Sequence, residues 1–458
     1  MKQKLICGIC LILVALVVGV TLVLQHMPVP AHGDTNSDWA SYLNNGARTG
    51  TNLNETAITA ATASQLQLAW TFSTGGKIAA EPILANGVLY IGSWDGYEYA
   101  VNVATHALLW KQFLGIAQPP EQCYFKNGIG ITSTATVEDG VVYVGGGDGN
   151  MYALHASDGS VIWKTMLGTF PYYNWSSPLV YNNELYIGLA SYCPPPQVQG
   201  KVMALHISDG SVAATLSLVH NGQTGAAVWS SPAVDVASNT IYITTGNNQS
   251  HRLSQQKNAE SILALDPSTL AIKDQWQIPQ TEKVKDGDFG ATPTLFDLNG
   301  MHYIGVLNKN GIYYMLDRTN LAAGPIWQQK LSFSSGQVKG DNVSPSCYAN
   351  GVVYTGSGGG IGKGNQVYGG TVGAFAAATG AQLWYFTTPG KMFAAVTCTN
   401  DLVVDNEGNT VEVRAAATGS VLFSYTTGGQ LDGASAISNG VLYTPSTDGH
   451  VYAFAVPS

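Results

Sequence analysis

Acidic, amide and indole side chains recur at one kind of place in this chain. Small residues, often with Pro, open short apolar strands at Ser176-Ser177-Pro178, Ser230-Ser231-Pro232, Ala291-Thr292-Pro293, Ser344-Pro345 and Ala434-Ser435-Ala436. Just ahead of these points stand Asn174 and Trp175, Trp229, Asp286 and Asp288, Asp341 and Asn342, and Asp432. Grouped carboxylate and amide oxygens suit a hard cation such as calcium. A carboxylate held against a substrate hydroxyl is a general base. Singly, each Asp or Asn is an ordinary turn residue. They gain meaning only if the fold brings several of them to one mouth, where a few converging polar groups make a binding site.

What must position them is a repeat. A Gly followed by an apolar-Tyr strand occurs at Gly87–Gly92, Gly140–Gly145, Gly351–Gly356 and Gly440–Tyr443, with weaker copies at Glu184–Gly188, Asn239–Tyr242, His302–Gly305 and Asp401–Val404. A second strand and a turn follow each, as in Tyr152 to Trp163. Alternating apolar and polar residues mark half-buried strands. Asp95-Gly96, Asp148-Gly149, Asp158-Gly159, Asn310-Gly311 and Asp448-Gly449 supply the positive φ that tight hairpins need. A single four-stranded blade cannot bury both faces, but radial stacking buries them and leaves short protected edges. The pattern therefore predicts an all-β, eight-bladed β-propeller of four-stranded antiparallel blades over residues 66–458. The chain ends within a repeat at Tyr452-Ala453-Phe454, so Leu66–Phe72 is expected to supply the missing outer strand and close the ring. Residues 32–65 read as a lead-in wrapping the outside, and the Trp closing each turn should pack between blades.

Composition narrows the setting. Charged residues are 11% of the 458 and the formal net charge is -9. So few Lys and Arg exclude nucleic acid as a partner. Residues 1–31 carry Lys2 and Lys4, an apolar run from Leu5 to Leu24, and small residues at Val29-Pro30-Ala31. This is an export signal, and cleavage and retention as an N-terminal membrane anchor both stay open. In either case the protein works outside the cytoplasm, secreted or held at the membrane. Cys123, Cys193, Cys347 and Cys398 follow the signal, an even number that suggests disulfides. Four cysteines allow three pairings. Cys7-Gly8-Ile9-Cys10 is followed by Leu11 rather than His, so no haem attachment motif is present.

The repeat ending in Gly-x-x-x-Trp, as at Gly159–Trp163 and Gly380–Trp384, resembles the tryptophan-docking motif of pyrroloquinoline quinone (PQQ) dehydrogenases. The lead-in from Trp39 through Tyr42 and Arg48 to Gly50 resembles the opening of the same family, with the flavour of its polyvinyl-alcohol-dehydrogenase-like members. Trp229 lies eighteen residues before Asn247 of Thr245-Gly246-Asn247. The resemblance then makes Trp229 the floor under the quinone and Asn247 a calcium ligand. It makes Asp288, in Asp288-Phe289-Gly290-Ala291-Thr292-Pro293, the catalytic base and a second ligand. Lys309, in Lys309-Asn310-Gly311 ahead of Leu316-Asp317-Arg318, would contact the quinone oxygens, and Asn342 would reach the quinone from the next blade. Gly290 stands where lanthanide-dependent relatives carry an extra Asp, which points to calcium. Departures accompany the matches: the family's calcium-binding Glu falls at Cys193, the adjacent Cys-Cys pair is reduced to Cys123, and no Arg matches near Gly128. Cysteine at both altered positions implies pairs Cys123–Cys193 and Cys347–Cys398.

The resemblance implies an exported oxidoreductase that oxidises a small or polymeric alcohol, or a sugar hydroxyl, with PQQ and Ca²⁺, passing electrons to a separate acceptor. The alternative is a non-catalytic propeller of the outer-membrane-assembly kind, acting as a binding or scaffold protein. Against that alternative stand the retained Trp229, Asn247, Asp288 and Lys309.

Overall fold

Residues 37–118, 128–193, 196–250, 252–332, 342–361 and 367–457 are described by a computed structural model. They form eight antiparallel sheets whose strands follow one another from the axis outwards, the arrangement expected of an eight-bladed propeller. Blade one shows the logic. Ile83–Ala85, Val88–Gly92 and Tyr97–Asn102 run from the axis outwards and are almost wholly buried between neighbours. The outer strand Leu108–Phe113 buries only Trp110 well. Inner strands are therefore continuous apolar runs, and only the outermost alternates.

Ring closure is as expected. Gln67–Ser73 pairs antiparallel with His450–Ala455 and becomes the outer strand of blade eight. Chain ends joined in one sheet convert a row of stacked sheets into a closed one.

The docking tryptophans bind each blade to the next. Trp110 Nε1 donates to Ala156 O at 2.9 Å, and Trp163 Nε1 to Ile207 O at 2.8 Å. Trp327 and Trp384 repeat the contact with Ala377 O and Ala416 O. Gly159 shows why a glycine must follow: its φ is 71°, and a Cβ there would meet the Trp110 ring at 2.6 Å.

The lead-in departs from expectation. Trp39, Leu43 and Arg48 are fully buried. Trp39 bridges Leu84 of blade one, Ala40 O accepts from Val137 N, Gly46 O from Val234 N and Ala47 O from Leu295 N. Thr49 O and Gly50 O accept from Tyr348 N and Cys398 N, and Asn52 Nδ2 donates to Ile437 O. Arg48 completes the circuit, donating to Tyr42 O, Pro178 O and Pro232 O. Residues 39–52 thus run along the innermost strands of all eight blades instead of around the outside. The cause is backbone chemistry: each innermost strand has an open edge whose N–H and C=O groups need partners. Only the later part, Ile58, Ala63 and Leu66, packs with the apolar residues of blades seven and eight.

Residues 1–31, the expected signal or anchor, lie outside the described residues. Among the described residues no helix is long and apolar enough to cross a membrane.

Candidate functional site

Trp229 stands ahead of the inner strand Ala233–Asp235 of blade four. Asn247 follows the next strand, Thr240–Thr244. Gly246 between them is tight: its N–H donates to Ala227 O at 2.7 Å, and a Cβ there would sit 3.2 Å from Asp288 Oδ1. Asp286 and Asp288 precede Thr294–Leu298 of blade five, and Lys309 follows Met301–Leu307. Two neighbouring blades therefore present their loops to each other.

The four residues meet. Trp229, Asn247, Asp288 and Lys309 line one cavity of about 390 Å³, together with Trp175, Tyr192, Cys193 and Asp286. Lys309 Nζ donates to Asp288 Oδ2 at 2.9 Å and to Asp286 Oδ2 at 3.2 Å. The same ammonium lies 4.9 Å from the Trp229 ring centroid, a cation–π contact. Asn247 Nδ2 donates to Asp286 Oδ1 at 2.6 Å. Asp288 is 7% exposed, and its Oδ1 has no hydrogen-bond partner. Burial pushes its carboxyl above the usual aspartate range; Lys309 pulls the other way and does not overcome it. Lys309 is also buried, but the two aspartates hold its ammonium above the ordinary lysine value.

Gly290 shapes the floor. A Cβ there would meet the Trp229 indole at 2.2 Å, so any side chain at 290 would displace the ring.

Asn342 does not join the cavity lining. It is 2% exposed, donates through Nδ2 to Lys309 O at 3.0 Å and accepts from Ser332 Oγ at 3.1 Å. It holds the loop that carries Lys309 rather than reaching the cavity itself, because its side chain turns back into the polar gap between blades. Asn174 likewise bonds Gly146 O and Asn150 O. Asp432 faces a second cavity, on the axis, with Tyr42, Glu81 and Trp94; Trp175 and Trp229 line both cavities. Asp341 and Cys123 lie outside the described residues. Cys193 is disulfide-bonded, and the expected pair Cys347–Cys398 is present with Cα atoms 6.1 Å apart.

One residue of the site escaped sequence inspection. Glu260 is 1% exposed, accepts from Asn248 N at 3.1 Å through Oε1 and leaves Oε2 without a partner. Burial, with Asp288 and Asp286 adding repulsion, pushes its carboxyl up to about 7. Its φ is 50°. In the corresponding turn of other blades, directly before the third strand, Gly96, Gly149, Gly311 and Gly449 take the positive φ. A charged residue where repeats carry glycine was the signal available.

With this geometry in view, relatives can be compared. A family model described as the β-propeller domain of glucose, ethanol and alcohol dehydrogenases (PQQ) matches residues 39–346. A second, described as outer membrane protein assembly factor BamB, matches residues 368–457. The polyvinylalcohol dehydrogenase of Sphingopyxis sp. (strain 113P3) is 23% identical over 332 residues, 61% of this chain and 48% of that protein. The quinohemoprotein alcohol dehydrogenase of Comamonas testosteroni is 26% identical over 317 residues, 57% of this chain and 42% of that one. The chain therefore spans about half the length of the curated relatives it matches. Among solved structures, that Comamonas testosteroni enzyme superposes with a TM-score of 0.75 at 20% identity, covering 93% of this chain and 82% of that chain. BamB from Moraxella catarrhalis gives 0.57 at 16%, covering 85% and 97%. At those identities the superpositions speak for the fold alone. The family model covers more than half the chain, including the inner segment and both blades that build the cavity, so the chain belongs to the PQQ β-propeller family of glucose, ethanol and alcohol dehydrogenases.

Proposed function

We propose that the chain is an exported quinoprotein oxidoreductase that oxidises an alcohol or sugar hydroxyl, with PQQ and a calcium ion in the cavity of blades four and five. The observation that carries this is the meeting of Trp229, Asn247, Asp288 and Lys309 around one cavity, with Asp288 Oδ1 buried and unpartnered. A buried oxygen without a donor fits a cation. Asn247 and Asp288 would hold it. Asp286, bonded to Asn247, offers a carboxylate in place of the family's Glu, whose position Cys193 occupies. Trp229 brings its indole to the cavity, and Gly290 gives that ring the room to lie there.

PQQ held over Trp229 would supply a hydride acceptor, and a cation held by Asn247 and Asp288 would supply Lewis acidity. The remaining work belongs to the chain. Asp288 takes the hydroxyl proton as the substrate carbon loses its hydride. Lys309 stabilises negative charge developing beside it, in a buried setting where such a charge interacts strongly. Asn342 keeps the Lys309 loop in place through its carbonyl. Electrons then leave to a separate acceptor. A working place outside the cytoplasm is supported by the Cys347–Cys398 disulfide.

The test is direct. The purified chain is mixed with PQQ and Ca²⁺, and quinone absorbance and dye reduction are followed with simple alcohols, sugars and polyvinyl alcohol. Binding at micromolar cofactor with alcohol-dependent dye reduction is expected. An unchanged quinone spectrum would sink the proposal. A scaffold role draws on the BamB match over residues 368–457, but it offers no account of a buried aspartate, lysine and amide around one cavity.

A further inference from the structure

Blade seven breaks the pattern of the ring at its buried face. Its second and third strands, Leu402–Glu407 and Thr410–Ala415, pair Asp405 with Glu412 and Val403 with Arg414. In blade one the same register pairs Ile91 with Tyr99 and Leu89 with Val101. Blade two has Val144 with Tyr152 and Val142 with Leu154, and blade four Ile243 with Leu263 and Ile241 with Leu265. Packing positions that are apolar in these three blades are charged here, together and in one blade.

The charges do not balance. Asp405 is 0% and Glu407 5% exposed, and Glu412 is half-buried beside them. One ligand oxygen from each lies within 4.8 Å of the others. Arg414 is the counter-charge: Nε donates to Asp405 Oδ1 at 2.8 Å, and Nη2 pairs with Glu412. Its guanidinium lies 5.8 Å over Phe386 of blade six, so the cluster faces that blade. One guanidinium serves three carboxyls. Asp405 Oδ2 and Glu407 Oε2 are buried and have no hydrogen-bond partner. Leaving charged oxygens unpaired in the interior costs several kcal/mol each, so either a proton or a cation must answer them.

We propose that Asp405, Glu407 and Glu412 form a second cation site, between blades six and seven, for a hard divalent ion of the calcium class. The donors are all oxygen, as that class requires. Arg414 fixes Asp405 by one oxygen and leaves the other without a hydrogen bond. The site is far along the chain from the cavity residues and needs neither quinone nor substrate. Its role is to seal two blades.

The full chain tests this with calcium itself as the probe. After stripping with EDTA, Asp286→Asn with Asp288→Asn removes both carboxylates that line the cavity and leaves the blade-seven cluster intact. This cavity variant is expected to retain a calcium ion in equilibrium dialysis and to melt several degrees higher with calcium than without. Adding Glu407→Gln in that background should abolish both effects while the circular dichroism stays that of a folded β-protein. A folded cavity variant that takes up no calcium at about 1 mM would overturn the proposal, even if the triple variant cannot be purified. Retention of the ion after Glu407→Gln would overturn it equally. If wild type and the cavity variant hold the same amount, the cavity loses its proposed ion and the blade-seven site stands.

Discussion

Asp288 can act as a base only when ionised, and its burial opposes that. The carboxyl is raised above the ordinary aspartate range, so the form able to accept a proton grows in as pH rises through the shifted value. A cation on this carboxylate favours the ionised form, so the acid limb of kcat/KM should move to lower pH as calcium is raised. Asp288→Asn should lower dye reduction by about 10²–10⁴-fold and remove that limb. A second buried acid tests the same physics away from the chemistry. Glu81 is pushed by burial from 4.5 up to about 8 on the axis, with Oε1 unpartnered. The folded state then holds a proton that the unfolded chain has released. Its contribution is complete below the unfolded value and is lost as pH rises through about 8. Glu81→Gln cannot titrate, so its melting temperature should exceed that of wild type by a few degrees at about pH 9 and match it near pH 5. Trp229 and Asp288 were legible because each stands just ahead of an inner strand start, whereas Asn247 and Lys309 were singled out only by the family resemblance. Asn342 sits at such a point too, but position does not dictate where a side chain turns. Glu260 was silent because only its backbone angle, at a turn glycine's place, sets it apart.

Strands and turns carried the fold plainly in the sequence, since hairpin glycines and apolar-Tyr runs recur. The docking Trp is the element-scale consequence. Trp163 is 8% exposed and bridges blades two and three through Ile207 O. Trp163→Ala should cost about 3–5 kcal/mol in urea unfolding, the usual range for an emptied aromatic site. The lead-in was misjudged for a physical reason. Its contacts with the eight inner strands are largely backbone to backbone, and such bonds leave no mark on side-chain type. Arg48 is the exception. It serves three carbonyls at once, and burial lowers its guanidinium to about 10 without discharging it at neutral pH. Arg48→Met fills the space but strands Tyr42 O, Pro178 O and Pro232 O. The expected loss is about 3 kcal/mol or more, read from the same urea curves.

A closed ring has no weak first edge, so its stability depends on the joints that keep it closed. Pairing of Gln67–Ser73 with His450–Ala455 is one joint, and it was foreseeable from a chain ending in half a repeat. The inner segment is a second. Cys347–Cys398 is a third, crossing between the inner strands of blades six and seven. It encloses a sequence separation of 51, and loop-closure entropy for that length gives about 4 kcal/mol as an upper value. The full amount requires that the unfolded chain be otherwise unconstrained. Gly50 already binds Cys398 N and packs on Cys347, so in the folded ring these strands are held whether or not the sulfurs are joined. The stabilisation must then come from the unfolded side. Cys347→Ser with Cys398→Ser should accordingly lower the unfolding free energy read from urea curves by an amount approaching that value while leaving PQQ binding in blades four and five intact. Cys193 belongs to a separate disulfide at the cavity, so any further loss when the double variant is treated with dithiothreitol reports that bridge alone. If the double variant unfolds at the wild-type midpoint, the disulfide does not stabilise the ring through the unfolded chain and the third joint is redundant.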